Sequence, residues 1–320
     1  YYDLQMRQIV GHIYFEKKNF TKALPYIEQY VTKTQKVSRE DLYELSYCYY
    51  VAKQYKKAVD GFKELGGKQD SLAQNSMYLL ADSYLKIGQK PSARSAFLFC
   101  ALNSSNQVQK EISKFNYGKL SYELGYTDVA LNELKDFVAA YPKSEYTDEA
   151  KDLLVNVLAN TNNYAEALQS VGNMRVRAES VRRIYPKILY GRAVELVNDQ
   201  QIEKANNLLN EIFEADYNTS QLPYTNFWKG EIAFRTNQYD SAVYYLGDYM
   251  KTPVVYGEVN PVNARYSLGY SAMRQEDYTN ALKYFEQITT SVSATSKPIE
   301  QDAYARSADC YFMQKKYSKA

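Results

Sequence analysis

In the stretch Phe20-Thr-Lys-Ala23-Leu-Pro-Tyr-Ile27, an aromatic residue precedes an alanine by three positions, and a large apolar residue follows the alanine by four. The phrase returns as Tyr55-Lys-Lys-Ala58-Val-Asp-Gly-Phe62. Further copies begin at Tyr164, Tyr239, Tyr278 and Tyr317, with their alanines at Ala167, Ala242, Ala281 and Ala320. Weaker copies centre on Ala93, Ala130 and Ala205. Successive anchor alanines stand 35 to 39 residues apart along all 320 residues. A fixed period of this length is the mark of a repeat architecture, in which each unit completes its core on its neighbours.

Twelve residues before most anchors stands a small residue: Gly11, Ser46, Ala81, Gly118, Ala193, Gly230, Gly269 or Ala308, with Val155 the exception. Nine before the anchor there is often tyrosine, as at Tyr14, Tyr49, Tyr84 and Tyr311. The apolar residues on both sides of a short polar link recur with helical spacing. Each unit is therefore predicted to be two antiparallel helices. The small residue and the anchor alanine let the two helices approach. The large residue four after the anchor (Phe62, Phe97, Leu134, Phe285) is expected to fill the gap toward the next unit. Between units five and six, Gly191 competes with Ala193 as the close-contact position.

The pattern resembles the tetratricopeptide repeat family over nearly the whole chain. Leu268-Gly269, Tyr14, Ala281, Phe285 and Pro142 carry parts of that family's signature. The units run longer than the usual ~34 residues, and the family's first-helix tryptophan is mostly missing; Trp228 is the only one. The resemblance implies an all-α fold, a right-handed α-α superhelix of about nine helical hairpins with the last incomplete. One continuous solenoid over residues 1–320, excerpted from a longer protein, is the simplest expectation. The polar breaks at 66–75, 214–226, 250–262 and 289–301 are its links. The turn Tyr141-Pro-Lys-Ser-Glu-Tyr146 and the Glu149-Ala150 that follows resemble the inter-unit turn of envelope members, such as the β-barrel assembly lipoprotein and the Tol-Pal-associated periplasmic protein. That points to a bacterial periplasm or cell envelope, with the cytoplasm as the alternative.

Composition narrows the function. Lys and Arg number 39 against 37 Asp and Glu, a balance that lacks the footprint of a nucleic-acid binder. The longest apolar run, Ala96 to Leu102, falls far short of the ~18–20 residues of a membrane span. The three cysteines, Cys48, Cys100 and Cys310, are scattered, and the reading is of buried fillers rather than disulfides or zinc ligands. His12 is the single histidine, so acid–base or metal chemistry has no second partner of that kind. No phosphate-binding loop or nucleophile elbow is present. No catalytic residue, metal site or cofactor is expected, and the basic run Arg175 to Arg183 reads as a solvated link.

Tyrosine is the conspicuous residue, with 34 copies. In the resembled family the first helix of each hairpin lines the concave surface. Positions 15, 11 and 8 before the anchors share that face. In the first half they give Phe15, Tyr43, Tyr47, Tyr50, Tyr78, Phe115 and Tyr122, with Asp82 and Lys119 between them. In the second half they give Tyr190, Phe227, Phe234, Tyr266 and Tyr270, with Glu231 between them. Phe312 belongs to the same set. Tyrosine joins a broad apolar face to a hydroxyl at low entropic cost and is enriched in binding hot spots. A protein or peptide partner along this groove is the leading expectation, with about half the rings packing instead. The turn tyrosines Tyr55, Tyr164, Tyr239, Tyr278 and Tyr317 are all assigned to packing. A chaperone-type carboxylate clamp is not supported, because its positions carry Tyr43, Tyr47, Tyr78 and Asp82. Glycan binding by the stacked rings is the alternative, RNA binding is disfavoured by charge, and uncapped ends suggest end-to-end self-association.

Overall fold

The computed structural model describes residues 2–320. Among the described residues it contains seventeen α-helices and no strand. They fall into two compact units, Tyr1–Thr161 and Asn162–Ala320. Unit 1 holds α1 (Tyr2–Glu16), α2 (Phe20–Lys33), α3 (Arg39–Val51), α4 (Tyr55–Lys63), α5 (Ser71–Lys86), α6 (Lys90–Leu102), α7 (Gln107–Glu123), α8 (Thr127–Ala140) and α9 (Thr147–Asn160). Unit 2 holds α10 (Tyr164–Gly172), α11 (Glu179–Asn198), α12 (Ile202–Glu214), α13 (Leu222–Arg235), α14 (Tyr239–Lys251), α15 (Pro261–Arg274), α16 (Tyr278–Glu286) and α17 (Pro298–Met313). Within each unit every helix packs on the next, and first helices such as α3 and α5, or α13 and α15, also lie side by side. This is the helical-repeat superhelix class of all-α folds.

The anchor alanines from Ala23 to Ala281 are all fully buried. The reason is a close helix crossing at the small residue of the partner helix. A Cβ placed on Gly230 would lie 2.4 Å from Leu246 Cγ, and one on Gly269 would lie 2.7 Å from Phe285 Cε1. The same approach joins Gly11 to Ile27 at 2.6 Å and Gly118 to Leu134 at 3.2 Å. Each large residue stands four positions after its anchor. At Gly118 and Gly269 it fills the space left by the small residue of its own hairpin, while Phe285 also belongs to a core cluster with Ala303 and Cys310 of the following unit. Gly191 and Ala193 divide their labour. The Tyr164 ring of α10 lies over Gly191, 2.4 Å from where a Cβ would sit, while Ala193 is fully buried.

The link between the two helices of a repeat has one conformation throughout. The residue five before each anchor has positive φ: Lys18, Lys53, Gly88, Gly125, Asn162, Gln200, Asn237, Glu276 and Lys315, with φ between 55° and 79°. This left-handed residue lets the chain reverse in three or four residues. Tyr164 and Tyr239 donate their hydroxyls to the Oδ1 atoms of Asn162 (2.7 Å) and Asn237 (2.8 Å), tying the turn to the second helix. Longer links are held by side chains. The fully buried Gln74 donates Nε2 to the Asn106 carbonyl at 2.9 Å and accepts the Asn106 N–H at 2.7 Å, fixing the chain between α6 and α7. The link after α14 closes in a tight turn, with Tyr256 and Val259 exchanging backbone hydrogen bonds around Gly257.

The three cysteines are free and buried, and burial pushes their thiols up, to about 12 for Cys48 and Cys100 and about 11 for Cys310. The basic run is not a solvated link throughout. Arg182 and Arg183 lie near the start of α11, paired with Asp216 and Glu179, and the Arg177 guanidinium stands 4.3 Å from the Tyr185 ring centroid.

The recurrent left-handed turn generates a stability test. Lys53 is exposed at φ 60°, a conformation that costs a side-chain-bearing residue about 1–2 kcal/mol. Lys53→Gly is expected to stabilise the protein by about 0.5–1 kcal/mol in urea unfolding. Asn237→Gly gains less, because asparagine already tolerates this region. A destabilised Lys53→Gly variant would contradict the turn geometry.

Candidate interaction surface

The sequence-predicted groove residues fall on the first helices of the repeats, and their environments sort them into three kinds. The first kind is buried. Phe115 is 2% exposed, because Phe137 (centroids 5.6 Å apart) and the stacked ring of Tyr146 (4.9 Å) enclose it. Phe227 is 1% exposed between Trp228 (5.6 Å) and Tyr249 (5.3 Å). Glu231 is buried against α15 and hydrogen-bonded by the Ser267 hydroxyl. Burial raises its carboxyl, with Ser267 and Arg235 opposing. These three are core residues, not surface for a partner, which corrects their assignment to the groove.

The second kind is half-buried and bonded across repeats. Tyr50 on α3 donates its hydroxyl to Asp82 Oδ2 on α5 at 2.8 Å. Asn75 on α5 donates to the Tyr43 hydroxyl and accepts from Gln109 on α7 at 2.6 Å. Trp228 Nε1 donates to the Tyr190 hydroxyl at 3.3 Å. Tyr266 and Tyr270 on α15 both donate to Asp302 Oδ2 on α17, at 2.8 and 2.5 Å. Burial raises the phenols first, to about 12 at Tyr43 and Tyr190, and the carboxylate bond raises Tyr50 and Tyr270 further. Burial opposes ionisation of Asp302, but the hydroxyls of Tyr270 and Tyr266 and the charge of Arg306 hold its carboxyl below the usual range. These tyrosines stay protonated, and their bonds, donated by Tyr50, Tyr266 and Tyr270 and accepted by Tyr43 and Tyr190, fasten one first helix to the next.

The third kind is half-buried with an unengaged hydroxyl. Among the described residues, the hydroxyls of Tyr47, Tyr78 and Tyr122 have no hydrogen-bond partner. Tyr47 stands at the centre of a ring cluster, with Phe15 at 5.6 Å, Phe20 at 5.1 Å, Tyr43 at 5.9 Å and Tyr50 at 6.3 Å. Tyr78 lies edge-on to Phe97 at 6.2 Å. Lys119 pairs with Glu149 at 2.7 Å, and Phe234 lies 6.3 Å from Tyr270. Phe312 is 58% exposed. Of the turn tyrosines, Tyr317 is 62% exposed and lies edge-on to Phe312.

Sequence reasoning missed one repeated bond. Tyr49 donates to Glu28 Oε1 at 2.5 Å and Tyr311 to Glu286 Oε1 at 2.6 Å. In both cases a tyrosine nine before one anchor meets a glutamate five after the previous anchor, so the signal lay in the alignment of repeats. No group of three or more His, Cys, Asp or Glu is gathered as a metal site requires, among the described residues. No described helix is long and apolar enough to cross a membrane.

Residues 16–100 match the family model described as anaphase-promoting complex, cyclosome, subunit 3, and residues 266–320 match the one described as tetratricopeptide repeat. Both matches are to tetratricopeptide-type families and together take in under half of the chain. No curated protein matches it. Among solved structures, it is similar to a tetratricopeptide repeat protein from Parabacteroides merdae at 15% identity, covering 84% of this chain and 98% of that one with a TM-score of 0.39. It is also similar to the C-terminal part of a TPR repeat-containing protein from Cytophaga hutchinsonii, at 13% identity, 82% and 98% coverage and a TM-score of 0.40. The apo form of RapI matches at 15% identity, 98% and 99% coverage and a TM-score of 0.40.

His12 lies on α1 and is bonded through Nδ1 to Glu44 on α3 at 2.6 Å. The Glu44 hydrogen bond raises the imidazole above 6.5, against a smaller loss from burial, and Glu16 and Asp41 add to the rise. Burial raises Glu44 as well, with His12 opposing. A raised histidine contributes stability that is complete below pH 6.5 and disappears as pH climbs through its folded value. The imidazole is 56% exposed, so screening limits the effect to about 0.5 kcal/mol or less. In urea unfolding at a series of pH values, His12→Gln is expected to remove the loss of stability above pH 6.5. An unchanged slope in the variant would contradict the pairing.

Proposed function

We propose that this chain is a protein-interaction scaffold that holds a polypeptide segment along the aromatic face of its first helices. The tetratricopeptide-type matches at 16–100 and 266–320 support the scaffold role at the level of class. The observation that carries the finer reading is the ring cluster around Tyr47, together with Tyr78 and Tyr122 on the first helices that follow; the hydroxyls of these three have no partner among the described residues. A half-buried ring with a free hydroxyl can cover an apolar side chain of a partner and bond its backbone at the same time. The Tyr47 ring is already held by Phe15, Phe20, Tyr43 and Tyr50, so little of its side-chain entropy remains to be lost on binding, and such preorganisation favours affinity. Tyr43, Tyr50 and Asp82 frame this surface but are already bonded to each other's helices.

The test uses a photo-reactive benzoylphenylalanine placed at position 47 or 78, with position 244 on α14 as an exposed control. After irradiation in extracts of the source organism, polypeptide adducts are expected from positions 47 and 78 and not from 244. Equal labelling at all three positions, or adducts made only of carbohydrate, would contradict the proposal.

A further inference from the structure

Unit 2 contains a cavity of about 410 Å³ lined by residues of α15, α16 and α17. That volume lies within the ~300–1,000 Å³ range of pockets that enclose a small ligand or a large side chain. Its apolar wall is Tyr270, Met273, Tyr278, Phe312 and Met313. Phe312 and Met313 are 58% and 51% exposed, and methionine adapts its shape to what it meets. The floor is held rigidly. Tyr270 donates to Asp302 at 2.5 Å, Arg306 Nη1 donates to Asp309 Oδ2 at 2.5 Å, and Arg306 Nε stands 3.5 Å from Asp302. Gln314 Nε2 donates to the Tyr278 carbonyl at 3.0 Å and closes the side next to α16.

Three charged groups line the cavity: Arg274, Arg306 and Asp309. Arg306 is shared by Asp309 and Asp302. Arg274 is exposed, and among the described residues its guanidinium has neither an ion pair nor a hydrogen bond. The cavity therefore presents an apolar wall beside one uncompensated fork of donors. A guanidinium in this state matches a carboxylate, which it can hold through two parallel hydrogen bonds.

We propose that this cavity is a socket for a polypeptide segment carrying a bulky apolar side chain next to an acidic residue. The side chain enters between Met273, Phe312 and Met313, and the neighbouring carboxylate pairs with Arg274. The inference deepens the scaffold reading above and rests on it, but it concerns unit 2 and residues that the cross-linking test leaves untouched.

The experiment follows the ¹³C-methyl signals of the six methionines in the full 320-residue chain, assigned with Met273→Leu and Met313→Leu. The probes are three capped dipeptides, acetyl-Phe-Glu-amide, acetyl-Phe-Gln-amide and acetyl-Ala-Glu-amide, with chitotriose as a glycan. Saturable shifts of Met273 and Met313 are expected with Phe-Glu, at several-fold lower concentration than with Phe-Gln or Ala-Glu, while Met6, Met77, Met174 and Met250 stay still. Arg274→Gln is expected to weaken Phe-Glu by about three- to tenfold, to the level of Phe-Gln, and to leave Phe-Gln unchanged. Phe312→Ala is expected to weaken both phenylalanine probes. Absence of saturable shifts at both methionines, equal affinity for Phe-Glu and Phe-Gln, or larger shifts with chitotriose would overturn the socket. Any of these results together with polypeptide adducts at positions 47 and 78 overturns the socket alone and leaves the scaffold reading standing.

Discussion

The structure depends on two helices of a hairpin coming closer than ordinary side chains permit. A missing Cβ on Gly11, Gly118, Gly230 or Gly269 makes room for Ile27, Leu134, Leu246 or Phe285, each one helical turn beyond a buried alanine. The dispersion attractions across such a crossing are individually small and collectively large. The crossing fixes the angle of the hairpin, and the angle fixes which face of the first helix meets the next repeat. A left-handed residue five before each anchor delivers the chain to the second helix in the register that brings the pair together.

Once the hairpins are set, the first helices stand side by side, and their polar groups bind across the seam. Tyr50 with Asp82, Tyr43 with Asn75, and Tyr266 and Tyr270 with Asp302 all join one first helix to its neighbour. A buried phenol left without a partner would cost about 1–3 kcal/mol, so these bonds explain why so many tyrosines can sit half-buried without penalty. The same logic separates structure from recognition. A phenol whose hydroxyl is engaged within the fold has only its ring free, whereas on the proposed reading Tyr47, Tyr78 and Tyr122 offer a partner both. In unit 2 the free guanidinium of Arg274 marks the cavity beside α17 in the same way.

The repeat was legible in the sequence because alanine at a fully buried crossing leaves a regular, unambiguous trace from Ala23 to Ala281. The first-helix face was legible too, since offsets from the anchors place Tyr43, Tyr47 and Tyr50 together. The left-handed turn was hidden, because only Gly88 and Gly125 announce it while lysine, glutamine and glutamate occupy most other copies. Phe115 and Phe227 misled for a different reason. Their burial comes from Tyr146 and Tyr249, which belong to a link and a second helix, and no periodic pattern on the first helix reveals what another segment lays over it. The socket beside α17 was equally hidden, because it takes side chains from three helices and a charge whose lack of a partner appears only in three dimensions.

The most direct measurement is the set of nuclear Overhauser contacts between the Gly230 α-protons and the Leu246 methyls, and between the Gly269 α-protons and the Phe285 ring. The account predicts strong contacts at both crossings, as the 2.4 and 2.7 Å approaches of a hypothetical Cβ require. Absence of these contacts in the folded protein, with Leu246 or Phe285 instead meeting residues of the following repeat, would contradict it.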